Sequence, residues 1–475
     1  MSPPRAEPTP AAQPSGPRFS TLPLPSAVLA NLDSLGYTSM TPVQARSLPL
    51  SLAGKDVIAR AKTGSGKTAA FGLPLLARVD SASLATQGLV LCPTRELADQ
   101  VALELRRLAR AEGNLKVLTL CGGVPLRGQT ASLAHGVQVV VGTPGRVLDH
   151  LNRQTLALSG LTCWVLDEAD RMLDMGFAED LAAMARHCGD GSRRQTLLFS
   201  ATYPENVAAI AARLLRDPVT VTVAEEHTAE QLHERRYEVT EEQRLHAVGR
   251  LLNHFRPEST LAFCNTKQQC HDLVAVLQAE GLSAMELHGD LDQRERDQVL
   301  VQFSNRSCSV LVATDVAARG LDIAQLAAVI NVDISPDAQV HTHRIGRTGR
   351  ASASGLVFSL VSPDEMGRIG RIEALQGRES EWCTLASLVS PAGAEPLRPA
   401  MVTLQIAGGR KEKIRAGDVL GALTKDLGLP ASAIGKISVN EFSTYVAVER
   451  SVADKALRGL NAGKVKGRSV KVRRL

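Results

Sequence analysis

A glycine-rich octapeptide, Ala61-Lys62-Thr63-Gly64-Ser65-Gly66-Lys67-Thr68, stands between a short apolar run, Asp56-Val-Ile-Ala, and the start of a helical pattern. Strand, glycine turn and helix in that order leave few folds open. Backbone N–H groups of such a turn, together with the positive end of the helix that follows, form a cradle for phosphate. There Lys67 would reach the β- and γ-phosphates of a nucleotide and the Thr68 hydroxyl would bind Mg²⁺. Ala61 departs from the general pattern, which has glycine at that position.

A phosphate loop needs an acidic residue at a neighbouring strand end to hold the metal, and a group to position the attacking water. Asp167-Glu168-Ala169-Asp170 directly follows the apolar run Trp164-Val-Leu166. Asp167 suits the first role and Glu168 the second.

The surroundings of these two motifs predict an α/β architecture. From about Phe19 to Val223, apolar runs such as Gln87–Cys92, Val137–Val141 and Thr196–Phe199 alternate with amphipathic stretches such as Leu97–Arg110. Near-continuous apolar strands separated by helices predict a parallel sheet covered on both faces. The pattern repeats from about Gln231 to Gly377, with strand candidates at Ser259–Phe263, Ser309–Ala313, Ala328–Val332 and Gly355–Leu360. Polar clusters follow the apolar runs, and open α/β sheets bind ligands at the carboxyl ends of their strands. Pro and Ala dominate about Ser387–Pro399, so residues 378–399 read as a linker, and 400–475 as a compact α+β unit. Residues 1–18, also rich in Pro and Ala, read as a disordered extension without the apolar core of a signal peptide.

Charge divides the chain. From Met401 to Leu475 there are 15 Lys and Arg against 6 Asp and Glu, a net +9, whereas the whole chain carries only +5. A basic unit on a slightly acidic body points to a polyanionic partner. Aromatic residues make up only 3%, so nucleic-acid contacts should depend little on base stacking. The eight cysteines include no C-x-x-C pair and most sit in strand-like runs, which predicts buried, reduced thiols and no metal cluster. No apolar run is long enough to span a membrane. A cytoplasmic protein is expected.

Asp167–Asp170 spells D-E-A-D, and the chain from about Phe19 to Gly377 resembles the DEAD-box RNA helicase family. The resemblance implies two tandem RecA-like domains, over 19–223 and 231–377, and ATP with Mg²⁺ as cofactors. Phe19, with Gly36-Tyr37-Thr-Ser-Met-Thr41-Pro-Val-Gln44, is similar to the family's adenine-reading motif. It implies that Gln44 and Thr41 bind the adenine edge and that Phe19 covers its face. Pro93-Thr94-Arg95, Gly122-Gly123 and Thr143-Pro-Gly-Arg146 resemble its RNA-backbone motifs, in which hydroxyl, guanidinium and N–H groups grip phosphate and sugar. Ser200-Ala-Thr202, with Asp170, resembles the element that couples hydrolysis to strand separation.

In the second domain, Gln293–Arg296 and Thr314–Asp322 look like further motifs, implying Arg296 and Thr314 for RNA and Asp322 for nucleotide. His343-Arg344-Ile-Gly-Arg347-Thr-Gly-Arg350 resembles the arginine-finger segment, implying His343, Arg347 and Arg350 in catalysis. Thr342 and Val332 depart from the family's usual apolar residue and Tyr.

The last 75 residues are similar to the RNA-recognition-motif-like tail of a bacterial member of the family that targets 23S ribosomal RNA. Only Tyr445 and Val446 of Glu441–Val448 match that module's aromatic strand. Basic loops, with Arg410, Lys411, Lys413, Arg415, Lys464, Lys466 and Arg468, are therefore expected to grip an RNA hairpin instead. The implied function is remodelling of short RNA duplexes on pre-50S particles by a monomeric helicase. An ATP-gated RNA clamp and a helicase of general specificity are the alternatives.

Overall fold

The computed structural model describes residues 16–475 except 62–63, 112, 189–193, 224–231, 319–325, 350–354, 378, 380, 390–396 and the side chains of 232–233. The chain divides near residue 226 into two compact units, and the second unit holds both the second parallel sheet and the C-terminal domain.

The first sheet comprises β1 (Val57–Arg60), β2 (Gly88–Leu91), β3 (Val117–Leu120), β4 (Val139–Gly142), β5 (Cys163–Asp167), β6 (Gln195–Ser200) and β7 (Val219–Thr222). All pairings are parallel, in the order β3-β4-β2-β5-β6-β1-β7. Side chains alternate between two cores, as the period of a strand demands. Val57, Val90, Val141, Val165 and Phe199 enter one core, and Ile58, Leu89, Val140, Trp164 and Leu198 enter the other. Both faces are therefore covered, which is why the strands read as unbroken apolar runs.

The second sheet comprises β8 (Leu232–Glu238), β9 (Thr260–Cys264), β10 (Ala284–Leu287), β11 (Val310–Thr314), β12 (Ala328–Asn331), β13 (Gly355–Val361) and β14 (Glu381–Cys383). Its order is β10-β11-β9-β12-β13-β8-β14, again all parallel and the same relative order as the first. This topology corrects one expectation. Part of the 378–399 stretch is not linker: β14 pairs with β8, and Leu388 is buried in the lobe's core. Pro and Ala content masked the short apolar pieces that dock there.

The C-terminal domain comprises β15 (Met401–Ala407), β16 (Ile434–Val439), β17 (Ser443–Glu449) and β18 (Val472–Arg474) in the antiparallel order β16-β17-β15-β18. The helical stretch from Ala416 to Asp426 and the helix Ala453–Ala462 cover one face around Leu404, Val419, Val446 and Leu460. This is the β-α-β-β-α-β arrangement expected for an RNA-recognition-motif-like unit. The opposite face meets the second lobe. Thr403 is hydrogen-bonded to Ser307 and, at 3.1 Å, to Asn305, while Lys436 donates to Ser304 at 2.8 Å.

Seven of the eight cysteines are buried, and burial pushes the Cys121 and Cys163 thiols up to about 12. Among the described residues, no helix is long and apolar enough to cross a membrane.

Candidate functional site

The first sheet's strand order sorts the motifs along one carboxyl edge. β3, β4 and β2 lead into Gly123, Thr143–Arg146 and Pro93–Arg95 on one side, whereas β1 leads into the glycine turn on the other. Asp167 and Ser200 end β5 and β6, which lie between those two groups.

Gly64 and Gly66 take positive φ of 81° and 87°, a region that costs side-chain-bearing residues energy. At Gly66 the turn has no room either: a Cβ would lie 2.5 Å from Gln44 Nε2. Lys67 opens the helix Lys67–Leu76 and is only 5% exposed. Its Nζ lies 3.7 Å from Asp167 Oδ1, and both atoms are buried without a hydrogen-bond partner. Burial pushes the Asp167 carboxyl up to about 6, against the pull of Lys67. A buried ammonium and carboxylate left unbonded are costly unless a ligand completes them. A triphosphate with a divalent cation would supply such partners: phosphate oxygens for Lys67, the cation for Asp167. Thr68, at the second position of the helix, is half-buried beside them.

Gln44 is buried. Its Oε1 accepts from Thr41 N at 2.8 Å and its Nε2 donates to Gly66 O at 2.9 Å, joining the adenine motif to the phosphate turn. Phe19 is also buried, edge-on to Tyr37 with centroids 5.9 Å apart. Ala61 N donates to Ser200 O at 2.9 Å, tying the turn to β6. Ser65 is half-buried in the turn.

Asp170 is the junction between the acidic motif and Ser200–Thr202. Its Oδ2 accepts from Thr202 N and Thr202 Oγ1, both at 2.8 Å, and its own N–H donates to Ser200 Oγ at 3.2 Å. Glu168 holds a left-handed backbone, φ 54°, and pairs with Arg171 Nη1 at 2.6 Å. Arg171 was not singled out from sequence; its spacing of three residues from Glu168 on one helical turn was the available signal.

On the far side of the edge, Thr94 caps the helix Arg95–Leu108 and accepts from Leu97 N at 3.3 Å. Arg95 lies 3.8 Å from Asp99 and has a buried Nη1 without a hydrogen-bond partner. Arg146 donates to Val124 O at 3.0 Å and to Gln129 Oε1 at 2.6 Å, bracing the turn that contains Gly123 (φ 74°). Pro93 is buried, and Thr143 immediately precedes the helix Pro144–Asn152 in extended backbone, without a side-chain capping bond.

In the second lobe, Arg296 on the helix Gln293–Ser304 donates to Ala317 O at 3.0 Å, beside the turn after Thr314. His343, Arg344 and Arg347 lie on and just after the helix Ala338–Ile345. Arg344, quoted in the motif but given no role there, is its clamp. It grips Asp315 through two bonds of 2.7 and 2.8 Å and also donates to Asp333 O at 2.6 Å and Asn265 Oδ1 at 3.0 Å. Arg347 is buried. Lys62, Thr63, Asp322 and Arg350 lie outside the described residues, as do residues 1–15 of the N-terminal extension.

The C-terminal basic residues gather where loops meet. Lys466 donates to the Lys413 carbonyl and lies 3.8 Å from Asp418; Arg410 N donates to Asn440 O at 2.9 Å and Lys411 N to Glu441 O at 3.0 Å. Lys413 and Lys466 both take left-handed φ, of 61° and 52°. Arg415 precedes the helix Ala416–Gly421, with Lys464 and Arg468 in the 463–468 turn.

A parallel sheet with a glycine phosphate turn, an acidic strand end and a second sheet of identical order defines a two-lobed P-loop nucleotide hydrolase. Residues 41–210 match the DEAD/DEAH box helicase family, 243–352 the helicase conserved C-terminal domain and 403–474 the DbpA RNA binding domain. The chain is 52% identical over 458 residues to the ATP-dependent RNA helicase DbpA of Escherichia coli, covering 96% of this chain and 99% of that one. It is 43% identical to the DEAD-box ATP-dependent RNA helicase CshA of Geobacillus kaustophilus, over 76% of this chain and 77% of that one. A solved structure of S. cerevisiae Dbp5 bound to RNA and ADP BeF3 matches with a TM-score of 0.71 and 29% identity, over 78% of this chain and 96% of that one. The chain belongs to the DEAD-box family of ATP-dependent RNA helicases. ATP use and RNA binding are thus parts of its activity.

Proposed function

We propose that this helicase binds a hairpin of 23S ribosomal RNA through its C-terminal domain and remodels short duplexes nearby during assembly of the large ribosomal subunit in the cytoplasm. The observation that carries this reading is the attachment of the basic domain to the second lobe through Thr403, Asn305, Ser307, Lys436 and Ser304. An RNA held by a domain fastened to the motor is kept at high effective concentration for the motor. The 52% identity to DbpA along nearly its whole length supports the same assignment.

In this reading the motor's parts are the predicted ones. Residues 19–223 and 231–377, the latter extended by β14 and Leu388, form the two motor domains and 400–475 the RNA anchor. The glycine turn and Lys67 bind the triphosphate; Gln44, Thr41 and Phe19 bind the adenine. Thr68 and Asp167 would hold Mg²⁺, which neutralises charge on the phosphate oxygens when bound. Glu168 positions the attacking water, which requires its carboxylate to share or leave the Arg171 pair. Arg347 and Arg350 stabilise charge in the transition state, His343 takes part in catalysis and Asp322 binds nucleotide. Pro93, Thr94, Arg95, Gly123, Thr143, Arg146, Arg296 and Thr314 hold the RNA backbone. Asp170, bonded to both Ser200 and Thr202, passes a change at the acidic motif to β6.

The test compares ATPase stimulation by a 23S hairpin fragment with stimulation by a polynucleotide of equal length, before and after truncation at about Pro399. The full chain should prefer the hairpin and the truncated chain should respond equally to both. Equal stimulation of the full chain would favour a helicase of general specificity. Strand displacement supported equally by a non-hydrolysable analogue would favour an ATP-gated clamp.

A further inference from the structure

The C-terminal domain has two aromatic side chains, Phe442 and Tyr445, and the fold treats them oppositely. Tyr445 lies on the sheet face opposite the domain's helices, where an RNA-recognition-motif-like unit would stack bases. It is 4% exposed, its hydroxyl accepts from Gln405 Nε2 at 3.2 Å, and Thr403 on the same face is occupied by Asn305 and Ser307 of the second lobe. That face is an interface within the chain and offers no ring to a base.

Phe442 is 62% exposed at the tip of the β16–β17 hairpin. An isolated exposed phenylalanine needs no explanation, but this one has a built setting. The 409–412 turn runs beside the hairpin tip, held by Arg410 N to Asn440 O and Lys411 N to Glu441 O. A Cβ on Gly409 would collide with the Asn440 carbonyl, so the two backbones meet only because glycine stands there. The Lys411 ammonium lies 4.5 Å from the Phe442 ring centroid and is steered there by Glu441 at 3.2 Å. Lys466 contacts the Lys413 carbonyl, so the 463–468 turn joins the same end of the domain.

From these observations we infer that Phe442 is a stacking platform for one unpaired RNA base, with the cations of the adjoining turns on the flanking phosphates. Every base has a π-face, and an aromatic ring beside Lys and Arg is the usual means of holding an unpaired nucleotide. The cation on one side of the ring leaves the other face for the base. A positive charge against a ring also strengthens its hold on a stacked π-system. The inference rests on the reading that the C-terminal domain is the RNA anchor. It adds to it a residue that recognises single-stranded or flipped-out structure, which the basic loops alone cannot distinguish from duplex.

The experiment uses the full chain and two labelled RNAs, a 23S hairpin fragment and an oligouridine of equal length, with affinity read by fluorescence anisotropy. Phe442→Ala should weaken binding by about 5- to 150-fold, the range for losing one stacked base. Phe442→Trp should retain affinity, whereas Phe442→Leu, equally apolar but without a π-face, should not. Lys411→Ala should instead make the salt dependence shallower by about one phosphate contact. Unchanged affinity of Phe442→Ala for both RNAs would overturn the inference, as would equal losses in the Ala and Trp variants. If the parent binds both RNAs equally, the ribosomal assignment fails, and loss on Phe442→Ala for either RNA still upholds the stack.

Discussion

The two lobes share one strand order and differ in what they leave unfinished at the carboxyl edge. After β1 comes a glycine turn whose buried Lys67 faces Asp167 at the end of β5, with Lys67 Nζ and Asp167 Oδ1 both lacking hydrogen-bond partners. After β8, at the matching place in the second sheet, there is no glycine turn; Thr240 leads directly into the helix Glu241–Phe255. Arg244 on that helix donates to Val332 O at 2.7 Å, Glu241 at 2.7 Å and Glu365 at 2.9 Å. Asp333, two residues past β12, accepts from Asn265 N and Gln269 Nε2, both at 2.7 Å. The first edge thus buries a lysine–aspartate pair with no hydrogen bond between its two atoms, whereas in the second an ion-pair network engages every nitrogen of the Arg244 guanidinium except Nε. Topology alone does not make a nucleotide site. A glycine turn beside a buried charge pair short of hydrogen bonds suits one, because phosphate and a cation would supply partners that the fold does not.

This contrast sets the expected effects of substitution. The largest falls on the arginine proposed to stabilise the transition state: Arg347→Ala should lower RNA-stimulated kcat by about 10³–10⁵-fold with the fold intact, as measured by steady-state phosphate release and circular dichroism. Next, Arg244→Ala should cost roughly 3–5 kcal/mol of stability, read by denaturant unfolding, because it leaves Asp333 buried without its cation and Glu365 with only the half-buried Arg368. Retained stability would show that the second edge is not the ion-pair network described. Lys67→Ala is the opposite experiment. It should lower kcat about 10²–10³-fold yet leave the nucleotide-free melting temperature no lower than the parent's. Mg·ATP should raise the melting temperature of the parent only. The smallest effect belongs to the junction between the edges of the first lobe: Thr202→Ala should reduce duplex separated per ATP about tenfold, removing one hydrogen bond to a charged group. ATP turnover without a duplex should be nearly unchanged.

The division between what was legible and what was not follows the range of the interactions. The glycine turn, Asp167–Glu168 and the apolar strand runs are local: each needs only a few consecutive residues, and periodicity reports them directly. The repeat of the whole pattern after residue 231 was equally visible, and so was the basic C-terminal unit. By contrast, β14 escaped notice because three residues in a Pro- and Ala-rich stretch carry little pattern until β8 lies beside them. Arg344 and Arg171 resembled ordinary surface charges until burial and nearby carboxylates gave them roles.

By itself, then, the sequence determined that two α/β units and a basic α+β unit follow one another and that the first carries a phosphate turn. The encoding signals lie within single elements, where chain neighbours are also spatial neighbours. Only the tertiary structure decided that β5 and β6 stand between the nucleotide and RNA motifs, that Asp170 reaches Ser200 and Thr202, and that the C-terminal sheet spends its open face on the second lobe. Those facts join residues 30 to 98 positions apart, and strand order, unlike strand identity, is set by how separate elements bury one another's surfaces.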